Sequence, residues 1–238
     1  MRACRWCRRS RSSSAVAGGL LCILAAAAPA AAAASTELRT RLLCPAELLV
    51  ARADARKHGE IAPGAPLARG LRNRISSTLA TLPITCRRYA AAVSMPFDDA
   101  QRFVARIGQL RGLFDTGEWA RFAEALDRLA AQAPFVTTSF LRDRDGDEDE
   151  REAGAVYRQL CHGCHVATMP DAENPAEPLD HMARNLPRDE FLARMLLGVR
   201  GTPEIGLSNP LTPFEIGAMT RFLVSSGPRG GERDRVRR

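Results

Sequence analysis

From residue 36 to residue 142 the apolar positions return every three or four residues, the spacing of one buried helical face. Pro45 suits the first turn of a helix running to about His58, where Gly59 offers a stop. His58 then reads as a solvated histidine at a helix C-terminus, favoured there by the helix dipole. After Pro66 the stripe Leu67, Leu71, Ile75 and Leu79 is expected to close at Pro83, and a further segment carries Ile84, Tyr89 and Val93. Asp98 is the expected N-cap of a helix burying Phe103, Ile107, Leu110 and Phe114. Asp115-Thr116-Gly117 breaks that pattern, and Trp119, Phe122, Leu126 and Leu129 form the next stripe before Pro134. Such rows are core packing, and no catalytic constellation lies in them.

A second patterned region covers residues 153–227. It opens with Gly-Ala-Val-Tyr-Arg-Gln-Leu from Gly154 and closes with an apolar helical segment from Leu211 to Leu223. The fold class that follows is all-α: a helical N-terminal domain (36–142) joined to a second, smaller helical domain (153–227). Between them residues 143–152 carry two basic and seven acidic side chains. They read as a solvated acidic linker running into a helix start, where negative charge is favourable. The alternative, a calcium loop, lacks its glycine in the sixth place and a matched bidentate glutamate. Residues 228–238 have no apolar anchor and read as a disordered basic tail.

Composition changes the picture mainly at the N-terminus. Arg2, Arg5, Arg8, Arg9 and Arg11 precede an apolar, alanine-rich run that ends in small residues. Residues 1–35 thus read as a signal peptide, cleaved near Ala34 or Ser35, and the mature chain is expected in the periplasm. An uncleaved anchor is the competing reading of the same run, but its alanine content argues against a span. No membrane insertion is expected after cleavage. The formal net charge of the 238-residue chain is +7, and five of those positive charges leave with the leader. The rest of the excess lies in residues 36–142, with 16 basic and 10 acidic side chains, and in the tail. That distribution is no nucleic-acid footprint, and nucleic acid is not an expected partner.

The chemistry-bearing stretch is Cys161-His162-Gly163-Cys164-His165, a Cys-x-x-Cys-His pattern of the kind that attaches a c-type haem. Two thiols three residues apart on one helical turn can each form a thioether to a haem vinyl group. The following imidazole then serves as proximal iron ligand. A zinc half-site would need a second ligand pair, and a thioredoxin-like redox pair would need a strand before it; neither is legible. With Tyr157 four residues before Cys161 on the same helical face, and Pro178-Leu179 downstream, the segment 150–227 resembles a class I cytochrome c. The resemblance implies one covalent haem c, held by Cys161, Cys164 and His165. It implies that the helix bearing Gly154 and Tyr157 crosses the last helix near Phe222. It also implies that the Pro178 carbonyl accepts the Nδ1–H of His165 and orients the ring.

One feature of that family is missing. Where a methionine before the last helix usually ligates the iron, the chain reads Gly198-Val199-Arg200-Gly201-Thr202-Pro203. Thr202 stands in the ligand's place, and a hydroxyl is no substitute for thioether donation. Met195 is the first candidate for a relocated sixth ligand, ahead of Met182, Met219, Met169 and Met95. Haem attachment leaves Cys44 and Cys86 as an even remainder once Cys4, Cys7 and Cys22 depart with the leader. In an oxidising compartment they are expected to form a disulfide; two buried free thiols are the alternative. The expectation is an exported electron-transfer cytochrome with a protein redox partner, a reading compatible with a haem-bearing subunit docked by its N-terminal domain onto another periplasmic protein. The alternative is an open iron site that binds a small ligand or peroxide. An electron carrier is the favoured reading over an enzyme.

Overall fold

The structure, a computed structural model, describes residues 17–141, 146–165, 176–198 and 209–225. Among these every regular element is helical, as the period of the apolar positions requires. The chain separates into a unit of residues 1–36 and a compact unit of residues 37–238. Among the described residues no helix is long and apolar enough to cross a membrane.

The elements in order are α1 (Ala17–Glu60), α2 (Pro66–Ala92), α3 (Phe97–Asp115) and α4 (Trp119–Gln132), then a 3₁₀ turn (Thr137–Phe140). There follow α5 (Gly146–Leu160), α6 (Leu179–Asn185), α7 (Arg188–Leu197) and α8 (Pro213–Ser225). Two apolar cores form within the compact unit. The first gathers Cys44, Leu48, Ala51 and Ala55 of α1 with Ile75, Leu79 and Leu82 of α2, Phe103, Ile107, Leu110 and Phe114 of α3, and Phe122, Leu126 and Leu129 of α4. The second gathers Leu42, Ala46, Leu49 and Val50 of α1 with Phe140, Ala153 of α5, Phe191 to Ala193 and Met195 to Leu197 of α7, and Ile216, Met219 and Leu223 of α8. The stripes expected on α3 and α4 are therefore the buried faces, apart from the half-exposed Trp119.

Several boundaries differ from the expectation, each for a reason outside local sequence. α1 runs through Pro45 to Glu60, because the residues on either side of that proline are buried. Pro83 likewise sits inside α2 and does not end it. The buried row continues past it through Cys86 and Ala90, and burial of such side chains outweighs the cost of one interior proline, about 3 kcal/mol. Cys86 is disulfide-bonded to Cys44 with Cα atoms 4.7 Å apart, tying α2 to α1 across the proline. Beside the bridge the fully buried Glu47 accepts hydrogen bonds from the hydroxyls of Thr81, at 2.8 Å, and Thr85. Asp98 is not the cap of α3; Pro96 holds that position and Asp98 lies in the first turn, still favourable to the dipole. The expected acidic linker is helical from Gly146 onward. Of its expected span, residues 143–145 lie outside the described residues, as does the expected tail. His58 is half-buried and stacks on Trp119 at 4.0 Å, not solvated; burial and then Arg72 lower its pKa.

α5 and α8 pack against one another in the second core. A Cβ on Gly154 would approach Phe222 Cε2 to 2.9 Å, and the Tyr157 and Phe222 rings lie 6.0 Å apart. The crossing near Phe222 is where the resemblance placed it. α8 starts with a reciprocal cap: the Thr212 N–H donates to Glu215 at 2.6 Å and the Glu215 N–H to the Thr212 hydroxyl at 3.3 Å. Below it the 3₁₀ turn presses the Phe140 carbonyl against Gly217, where a Cβ would come within 1.9 Å of that oxygen.

The neighbour at Gly217 is backbone and cannot swing aside. Gly217→Ala is expected to destabilise by about 3 kcal/mol, at the upper end of overpacking costs. That corresponds to a melting temperature about 6–12 °C lower for a chain of this size. Thermal unfolding followed by circular dichroism checks it, with Gly112→Ala inside α3, where nothing lies within 4 Å of a Cβ, as the control expected to lose no stability.

Candidate functional site

α5 ends at Leu160, and the motif continues its last turn without a break. The Cys161 and His162 N–H groups donate to the Tyr157 carbonyl at 3.0 and 2.9 Å. Those of Cys164 and His165 donate to the Cys161 carbonyl at 3.2 and 3.1 Å. This winding places the two cysteines one turn apart, as the spacing demands. Neither is in a disulfide. They differ in surroundings: Cys161 is half-buried against the second core, and Cys164 is exposed. Burial, and then the neighbouring Cys164, push the Cys161 thiol above the usual range. Tyr157, whose ring meets His162 edge-on at 5.7 Å, is also raised, chiefly by burial and then by Asp180 and Cys161.

His165 Nδ1 lies 2.6 Å from the Glu177 carbonyl oxygen. A carbonyl only accepts, so Nδ1 carries the proton, and Nε2 is left with a lone pair for a metal. The acceptor was expected to be the carbonyl of Pro178. That oxygen instead accepts the Met182 N–H at 3.0 Å, because Pro178 caps α6, and the task falls one residue earlier. Glu177 and Met182 border a cleft of about 440 Å³ that Leu49 of α1 and Arg194 of α7 also line. Among the described residues no group of three His, Cys, Asp or Glu side chains gathers as a ready-made metal cage.

The helix beside this cleft is held by charge. Asp54, 1% exposed on α1, accepts from Arg74 of α2 at 3.1 Å and from Arg194 at 2.8 Å. Arg194 also donates to Glu190 at 2.8 and 2.9 Å. Burial opposes the Arg194 charge, but Asp54 and then Glu190 outweigh it and hold the guanidinium above its ordinary pKa. Two acids and two bases make the cluster neutral, which removes much of the cost of burying it.

The candidate distal residues divide between core and undescribed chain. Met195 and Met219 are buried in the second core, and Met182 packs half-buried against it. Met95 packs against the first core. Thr202, Arg200 and Met169 lie outside the described residues. The structure thus brings Cys161, Cys164, His165 and the 176–178 segment together. Glu177, Arg194 and Asp54 were not read from the sequence; only the Thr212–Glu215 cap had a legible signal, a Thr-x-x-Glu before an apolar run.

No protein-family model matches the chain, and neither a curated protein nor a solved structure matches it.

The unequal burial of the two thiols has a direct outcome in the haem-free, reduced protein. Iodoacetamide at pH 8 is expected to label the exposed Cys164 ahead of Cys161. The Cys161 rate should keep rising with pH beyond the point where an unperturbed thiol levels off, since only the thiolate reacts. Peptide mass analysis over a pH series checks both.

Proposed function

We propose that the chain is an exported c-type cytochrome, carrying one covalent haem and passing electrons to or from a protein partner. The observation that carries this reading is the His165 hydrogen bond to the Glu177 carbonyl, beside two unpaired thiols on one turn. Those three residues fit the group. Each thiol adds across one vinyl double bond, sulfur to one carbon and hydrogen to the other. His165 presents Nε2 to the iron, while Glu177 keeps the ring from turning and raises its basicity. Haem, once bound, supplies a one-electron iron couple. Tyr157, Gly154 and Phe222 pack α5 on α8 and so anchor the turn that bears the cysteines. The compact unit starts at Glu37, so loss of a leader ending near Ala34 or Ser35 removes none of it.

The mature protein is expected to keep haem staining and an absorbing Soret band on a denaturing gel, and to lose both in the Cys161→Ala, Cys164→Ala double variant. Stain retained by the double variant, or absent from the wild type made with haem-attachment machinery, overturns the reading.

A second reading concerns the iron's other side and is favoured by the methionines. Met195 and Met219 are packed among leucine, isoleucine and phenylalanine side chains, the ordinary place for a core thioether. That supports a distal side left open or weakly held, with Thr202 in the usual ligand's place in the sequence. The ferrous protein is then expected to take up carbon monoxide readily, and Thr202→Met to shift it towards a low-spin spectrum with a raised potential. Resistance to carbon monoxide in the wild type, relieved by Met195→Ala, would establish a relocated ligand instead.

A further inference from the structure

Four helices meet at one ring. Trp119, the first residue of α4, is stacked by His58 from the last turn of α1, with centroids 4.0 Å apart and ring planes inclined by 27°. Arg72 of α2 sets its guanidinium over the same indole at 5.8 Å and over the Phe114 ring of α3 at 5.1 Å. Phe114 meets Trp119 edge-on at 5.6 Å, and Phe122 does so at 5.9 Å. His58 and Trp119 are both half-buried, and Trp119 packs against the first core. The stack therefore ties the end of α1 to the start of α4.

The imidazole suits this place when it is neutral. A proton would set a second cation against an indole that already faces Arg72, with part of its hydration removed. The carboxylates on the elements around it are committed elsewhere. On α1, Asp54 is held by Arg74 and Arg194. On α3, Asp115 pairs with Arg111 at 3.0 Å, and the Arg111 guanidinium lies 5.8 Å from the Phe114 ring. At the start of α4, Glu118 is held by Arg121 and Thr116. On α2, Arg69 donates to the Gly64 carbonyl. Lys57 and Glu60, which flank His58 with opposite charges, line the cleft of about 440 Å³. Attraction of an imidazolium to the indole face and to the C-terminal dipole of α1 works the other way. Burial and then the Arg72 charge outweigh both, and the His58 pKa lies below its ordinary value.

We propose that His58 and Trp119 form an acid-sensitive latch, in which protonation of His58 releases the end of α1 from the start of α4. Above the free histidine value of about 6.5 the latch holds in full, because both its closed and its open forms are neutral. As pH falls from there to the lower pKa of the closed form, the open form binds the proton more readily and the closed form loses ground. Over that interval the closed-to-open ratio drops by up to about tenfold per pH unit. Lys57 and Glu60 move with the released end, so acid alters one wall of the cleft that Glu177 also borders. The latch goes beyond the haem reading and does not depend on it.

The test uses the full chain with Trp6→Phe, which leaves Trp119 as its one tryptophan. Two quantities are followed from about pH 8 to pH 4, the range that brackets an ordinary and a lowered histidine. One is tryptophan emission; the other is amide hydrogen exchange at the end of α1, corrected for the intrinsic pH dependence of exchange. Emission is expected to change with a midpoint below about 6.5. Exchange at the end of α1 should speed up over the same interval, by up to about tenfold per pH unit, while exchange in α8 changes less. His58→Gln should abolish both responses. Arg72→Gln removes the competing cation and should raise the emission midpoint. Flat emission in the parent protein, a midpoint at or above the free histidine value, or responses that persist in His58→Gln overturn the proposal. Exchange that ignores the emission change also overturns it, since His58 would then sense the proton without releasing the helix. Should His58→Gln fail to fold, Arg72→Gln decides, and an unmoved midpoint in it sinks the latch.

Discussion

On α1, residues 42, 46, 49 and 50 enter one core, and residues 44, 48, 51 and 55 enter the other. At 3.6 residues per turn the first set spans about 100° of the helix and the second about 60°, on the opposite side. A helix buried on two faces has little room for a solvated stripe, and α1 is therefore the shared wall between the α2–α4 helices and the α5–α8 helices. Loss of its packing would uncover both cores together. Each fully buried leucine or phenylalanine lost from them forfeits about 1.5–3 kcal/mol.

Polar ties at the edges of these faces set the register of α1 against its neighbours. Apolar contact is tolerant of small shifts, but a buried carboxylate is not. Asp54 lies between Arg74 and Arg194, and a shift of α1 that drew it away from them would leave a buried carboxylate without its cations. Glu47 is likewise committed to Thr81 and Thr85, next to the Cys44–Cys86 bridge. The bridge itself contributes about 2–4 kcal/mol by restricting the unfolded chain. Together with Arg39, which donates to the Leu196 and Leu211 carbonyls, these groups align α1 with α2 on one side, and with α7 and the start of α8 on the other.

That alignment matters for the candidate site because the motif alone is only half of it. The turn from Cys161 to His165 is local, built by hydrogen bonds to residues three to five positions back. The imidazole's orientation comes from Glu177, twelve residues on, and the segment holding Glu177 is placed by α6 against α8. Pro178 shows how narrow the margin is. The Pro178 carbonyl runs along α6 to the Met182 N–H, and the carbonyl one residue earlier, that of Glu177, is the one that meets the ring.

Local sequence determined the helical class, the buried rows of α3 and α4, the break at Asp115–Gly117, the turn at Cys161–His165 and the pairing of Cys44 with Cys86. In each of these, residues close in the chain, or a count of what remains, carry the information. Tertiary structure decided the rest. Pro45 and Pro83 read locally as helix boundaries, and only burial on both sides of each shows that the helix continues. His58 reads locally as a solvated helix-end residue, and the ring stacked on it, Trp119, is 61 residues away. Gly217 carries no sign of the Phe140 carbonyl that forbids it a side chain. Arg39, Asp54 and Arg194 are three of many arginines and acids, and nothing in their spacing distinguishes a buried tie from a surface charge. Their partners are backbone carbonyls and side chains up to 172 residues distant, chosen when the helices pack and not before.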